Sequence, residues 1–243
     1  MNAVSNETAA PPSALKRLLY RPPYIGLLAF VIVFVVQALG HTVMILMEDI
    51  FGEKYVFQSA FAMGLFGAVL LVIGMRKSNE VSATWLGFWA GTFLWTGWIE
   101  FSFVWSAHTL GVPDLMDARV PGEIATKAEY LVMMSSVGVM MSTLAYFLLN
   151  KETKCNMFLW IQRHGHLKTG KPNPAHQRNF AAITSLETIY VLWFFYLLLL
   201  FIYDESILGD RQPVTYGIFF LNVIWGVCLF QRLMKFWKVT TAI

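Results

Sequence analysis

Six long apolar runs, parted by short polar stretches, constrain this chain more than any other feature. They cover residues 24–47, 57–75, 83–107, 128–149, 180–203 and 214–234. A helix needs about 20 apolar residues to cross a hydrocarbon core of ~30 Å, and each run is near that length. Inside lipid the backbone must satisfy its own hydrogen bonds, which leaves helices as the form open to such segments. The expected fold is all-α: a polytopic integral membrane protein with six transmembrane helices in one bundle over 21–239. Composition agrees, because 57% of the 243 residues are hydrophobic and only 14% are charged, against about 25% charged in soluble domains. Residues 1–20 begin polar, small and proline-containing, and are expected to form a disordered tail. The first run is too long for a signal-peptide core and no small-residue cleavage site follows it, so it is expected to remain as the first membrane helix.

The basic residues orient the bundle. With the N-terminus in the cytoplasm, the outer loops hold Lys54, Arg119, Lys127 and Arg211. The other 14 of the 18 Lys and Arg residues lie inside, from Lys16, Arg17 and Arg21 through Arg76, Lys77 and the 151–178 loop to Arg232, Lys235 and Lys238. Positive-inside asymmetry therefore puts both termini in the cytoplasm, and a bacterial inner membrane is the expected location. The net charge of +3 reads as topology. No basic run is interleaved with stacking aromatics, so no nucleic-acid partner is expected. Cys155 and Cys228 show no CxxC or zinc spacing, and a structural disulfide is not expected on the cytoplasmic side.

Two loops stand out. The outward segment 108–127 is acidic and turn-rich, with Pro113, Asp114, Asp117, Pro121 and Glu123. It reads as a solvated connector or as a lid over an outward site. The inward segment 150–179 is basic. Within it Lys154–Ile161 is expected to form a short interfacial helix with Trp160 at headgroup level. His164, His166 and His176 follow, but their spacing lacks helical i, i+4 geometry and no carboxylate or thiolate completes a tetrahedron. Contact with anionic headgroups is the expected role of this loop.

Ionisable residues within membrane helices are costly and mark candidate sites. Gln37, His41, Met44 and Glu48 recur every three or four residues and so share one face of the first helix. Glu100 and His108 lie toward the outer end of the third, about 80° apart on the helical wheel. Glu129 opens the fourth from the outer side, with Met133, Ser136 and Met140 continuing its stripe. By depth, His41, Glu48, Glu100, His108 and Glu129 are expected to converge beneath the outer surface. Glu187 lies about two turns into the fifth helix from the cytoplasmic side, and Asn222 near the middle of the sixth. These two are candidates for an interhelical polar contact or for a proton path. The third helix carries Trp85, Trp89, Trp95, Trp98 and Trp105 beside Gly87, Ala90 and Gly91. That pattern suits close helix packing, a partner subunit, or an aromatic wall around an apolar ligand.

Imidazoles with nearby carboxylates and thioethers suit a metal. His41 and His108 would be ligands, joined by Glu100 and Glu48, with Gln37, Glu129 and Glu187 as hydrogen-bonding or proton-handling partners. Met44 or Met47 would favour copper. A b-type haem held by His41 and His108 is the alternative cofactor. The stretch Gln37-Ala-Leu-Gly40-His41-Thr42, followed by Met47-Glu48-Asp49-Ile50-Phe51, resembles a segment in the third subunit of copper-containing membrane monooxygenases. That family has Asn-x-x-Gly-His-Thr and then Phe-Met-Glu-Glu-Leu-Phe. The resemblance implies a metal-site role for His41 and for Gln37, which stands where the family has Asn. Its next histidine has no counterpart among Tyr55 to Gln58, and its Asp/His/His element is absent.

The functional expectation is thus an outward-facing His/carboxylate site binding a metal, copper first, or a haem, within a redox or oxygenase-like membrane assembly. Two other classes stay open. One is a proton-coupled small-solute transporter with Glu100 and Glu187 as carriers. The other is a non-catalytic accessory or assembly subunit docked through the Trp-rich helix. No GxSxG, Walker, dinucleotide or histidine-box motif occurs, and no lysine falls inside an expected span to form a Schiff base.

Overall fold

In the computed structural model, residues 21–117, 120–153, 155–175, 177–204, 207–209 and 211–236 are described. The expected tail 1–20 lies outside them. Helix dominates. α1 runs Tyr24–Met75, with Gly52 (φ 59°, ψ 179°) as its non-helical point. The polar stretch expected between the first two runs is therefore mostly helical, and the break narrows to one glycine, where a positive φ carries no Cβ penalty. The third run comprises α2 (Glu80–Leu94), a π-helical turn (Trp95–Glu100) and α3 (Phe101–Leu110). A hairpin of β1 (Leu115–Met116) and β2 (Ile124–Thr126) follows, antiparallel, pairing Leu115 with Thr126 and Met116 with Ile124. Next come α4 (Ala128–Met134) and α5 (Val137–Leu149), bent by 44° at Ser135–Ser136. The chain then forms α6 (Asn156–His164), α7 (Phe180–Tyr203) and α8 (Pro213–Leu233).

Among the described residues, three helical segments are long and apolar enough to cross a membrane: Lys54–Met75, Phe180–Tyr203 and Pro213–Leu233. The bent pair α4–α5 makes a fourth if taken as one span. Of the remaining runs, 80–110 is divided by the π turn.

Local chemistry fixes several ends. Asn79 Oδ1 accepts the Ser82 N–H at 2.9 Å and opens α2. Asn179 Oδ1 accepts the Ala182 N–H at 3.0 Å and opens α7, while its Nδ2 donates to Met75 O at 3.1 Å. One amide thus serves an orphan donor of one helix and an orphan acceptor of another. Gly111 closes α3 in the left-handed region, with Val112 N–H bonded to Ala107 O at 3.0 Å. Asp114 Oδ1 accepts the Ala128 N–H at 2.7 Å, tying the hairpin to the start of α4.

The chain divides into two compact units, Met1–His41 with Ile218–Ile243, and Thr42–Gly217. In the first, Phe30 meets Phe230 edge to face at 5.0 Å, and Gly26 lies so close that a Cβ would stand 2.3 Å from Leu233 O. In the second, small residues set the packing. A Cβ on Gly97 would meet Gly64 N at 2.4 Å, and one on Gly67 would meet Leu94 N at 3.0 Å, so α1 and the third run lie antiparallel and nearly touching. Gly87 and Gly91 lie against Ala181 and Ser185 in the same way, which brings α2 and α7 together in parallel. Close backbone approach at small residues is how helices gain dispersion contacts in a solvent as apolar as they are.

Candidate functional site

Beyond the α2–α7 seam, the π turn and α7 carry two side chains to one point. Glu100, the last residue of the π turn, is only 4% exposed. Its Oε1 accepts the Tyr196 hydroxyl at 3.1 Å. Tyr196 stacks on Trp95 at 5.6 Å between ring centroids and on Tyr130 at 6.4 Å. Trp95, Met133, Met140 and Leu197 form the apolar wall below, packed with Ile99, Phe103 and Tyr190. Trp193 Nε1 donates to Ser136 Oγ at 2.9 Å and pins the bend between α4 and α5 to α7. The site is thus a carboxyl held by a phenol inside an aromatic cage. In such surroundings an unpaired charge is expensive, and a buried carboxyl needs the hydrogen-bond partner that Tyr196 supplies.

The π turn puts the carboxyl there. It inserts an extra residue into the helical ring and turns the following side chains relative to an uninterrupted helix. On its other face, Trp98 stacks on Phe61 at 6.0 Å and donates from Nε1 to Phe61 O at 3.1 Å. The wide turn is therefore clamped from both sides, by α1 through Trp98 and by α7 through Glu100.

The other expected site residues fall as follows. Glu48 is exposed and Glu129 half-buried, the latter 3.8 Å from Lys127 Nζ. Glu48, Glu100 and Glu129 all lie close enough to Tyr130 to act on it electrostatically. His108 is exposed, its ring 6.3 Å from that of Phe57. Gln37 and His41 lie on α1, but their side chains fall outside the described residues, and both residues belong to the other compact unit. Among the described residues, no group of three or more His, Cys, Asp or Glu side chains could hold a metal ion. Met44 and Met47 are buried with Val56, Ala60 and Phe101, where each thioether is surrounded by hydrocarbon.

Glu187 faces outward from α7, its side chain 60% exposed and its Oε1 3.9 Å from Arg178. The Asn222 amide donates to Ile218 O, one turn back in its own helix. His164 Nδ1 bonds Trp160 O at 2.8 Å, and the two rings lie 4.3 Å apart. His176 lies outside the described residues. Cys155 and Cys228 are free. The tryptophans of the third run divide: Trp95 is buried, whereas Trp89, Trp98 and Trp105 are exposed.

Sequence reasoning passed over Tyr196 and Tyr130, which pack beside Glu100. A signal existed, since a phenol deep in an apolar run such as Leu192–Phe201 needs a hydrogen-bond partner, and Glu100 lies at a similar depth. Comparison with known protein families, with curated proteins and with solved structures finds no match.

Proposed function

We propose that this chain is a six-span protein of a bacterial inner membrane, termini in the cytoplasm, with Glu100 as a proton-handling carboxyl in the outer half of its bundle. The observation that carries this reading is the buried Glu100–Tyr196 hydrogen bond on a π turn. π turns inside long helices recur at functional sites, and buried carboxyls within membrane helices mark proton and ion paths. Tyr130 and the half-buried Glu129 extend the site toward the outer hairpin. The reading fits a proton-coupled small-solute transporter. The exposed Trp89, Trp98 and Trp105 support docking to another membrane subunit.

The test uses the full chain in liposomes with a pH-sensitive dye inside, under an imposed potassium diffusion potential. Proton entry above that of empty liposomes is expected, with loss of that excess in Glu100→Gln. Equal fluxes in Glu100→Gln and wild type would remove Glu100 from the path.

A metal site at the outer end is the second reading, resting on Glu48, Glu100 and Glu129 as oxygen donors by residue type. His41 and His108 would add imidazole, which copper accepts, as would a b-type haem. Near-stoichiometric copper, or a Soret band, in purified protein would support it if lost in His41→Ala. A metal-free, colourless protein would end it.

A further inference from the structure

We infer that α6 and the chain around it form a docking surface for anionic phospholipid headgroups in the leaflet at that end of the bundle. α6 starts a few residues after α5 ends at Leu149, so it lies beside the mouth of a membrane-crossing pair. Its two faces differ. Gln162 is buried and donates from Nε2 to Leu148 O, which fastens one face to the end of α5. Met157 and Trp160 stand more than half exposed on the opposite face, with the His164 ring stacked on Trp160. A helix fixed to the bundle on one side and offering an indole and a thioether on the other is shaped to lie in the headgroup layer.

Charge supplies the second argument. Lys151, Arg163, Lys168 and Lys171 are exposed around α6, against Glu152, whose Oε1 is engaged by the Asn173 N–H at 2.8 Å. The Asn179 bond to Met75 O brings Arg76 and Lys77 to the same end, beside Arg178, which pairs with Glu187. Glu80 is the acidic residue that opens α2 there. This end therefore presents a basic rim around an amphipathic helix, the complement of phosphate headgroups. The surface depends on the chain's lying in a bilayer and not on the role of Glu100.

The test places the full chain in nanodiscs of phosphatidylcholine alone or mixed with phosphatidylglycerol. A spin label at Met157→Cys, with Cys155→Ser and Cys228→Ser, leaves Trp160 in place. It is expected to be relaxed by oxygen more than by a water-soluble nickel chelate. In detergent, the protein should retain phosphatidylglycerol over phosphatidylcholine. Arg163→Gln, Lys168→Gln and Lys171→Gln should each weaken that retention about fivefold, while Glu152→Gln leaves it intact. A label relaxed chiefly by the chelate overturns the immersion of α6. Equal retention of the two lipids, or retention unchanged when Arg163→Gln, Lys168→Gln and Lys171→Gln are combined in one chain, overturns the headgroup site. Thermal unfolding of each variant separates loss of lipid from loss of fold.

Discussion

Glu100 and Glu187 are two glutamates of the kind that membrane helices rarely hold, and the structure treats them oppositely. Glu100 is turned inward, accepts a phenol and is sealed by Trp95, Met133 and Leu197. Glu187 is turned outward, a short way into α7, and reaches back to Arg178 near the helix start. The first is held by tertiary packing and the second by a local ion pair close to the headgroups, where a long side chain can extend toward water. Depth along a helix is thus a poor guide to role unless the face is known as well.

The largest effect should come from parting the helices that hold the inward carboxyl. Gly87→Val would drive a Cβ to 2.4 Å from Ala181 O. It should lower stability by about 3 kcal/mol, measured by thermal unfolding in detergent, and should also abolish Glu100-dependent flux. Next, Tyr196→Phe removes the phenol and leaves a buried carboxyl short of a donor, at about 1–3 kcal/mol. A double-mutant cycle with Glu100→Gln should return a coupling of about 1 kcal/mol; additive losses would mean the bond matters little. Glu187→Gln should change stability by less than ~1 kcal/mol, as for other solvent-screened pairs. A loss as large as that of Tyr196→Phe would erase the contrast between the two glutamates. Smallest of all should be Gly138→Ala on the open face of α5, where a Cβ would meet nothing within 4 Å. A slight gain, of at most ~1 kcal/mol, is expected there because alanine loses less backbone entropy than glycine.

Much of this architecture is written in hydropathy. The run 180–203 is α7 to the residue, and 214–234 differs from α8 by one position at each end. Apolar length is a local property, so a sequence displays it directly. The joints are less legible. Gly52 breaks α1 and Ser135–Ser136 bends the fourth run, yet neither carries a proline, and the expected break after residue 47 is largely helical. The π turn over Trp-Thr-Gly-Trp-Ile-Glu has no composition of its own. It depends on clamps from Phe61 and Tyr196, which lie far away in the chain. The site was half readable for the same reason. Glu100 could be assigned a depth by counting residues, whereas Tyr196 and Tyr130 join it only once helices pack. Met44 and Met47, readable as soft ligands, are packing groups because their face of α1 meets Val56, Ala60 and Phe101.

The surplus residue in the wide ring at Trp95–Glu100 also sets how the end of the third run, Phe101–Leu110, is wound. Drawn back to ordinary i→i−4 bonding, that ring would swing Phe101 through Leu110 by about 100°. A different stripe would then meet Phe57, and the carboxylate would leave its phenol. Anchorage of Glu100 and the heading of everything beyond it are one mechanical coordinate.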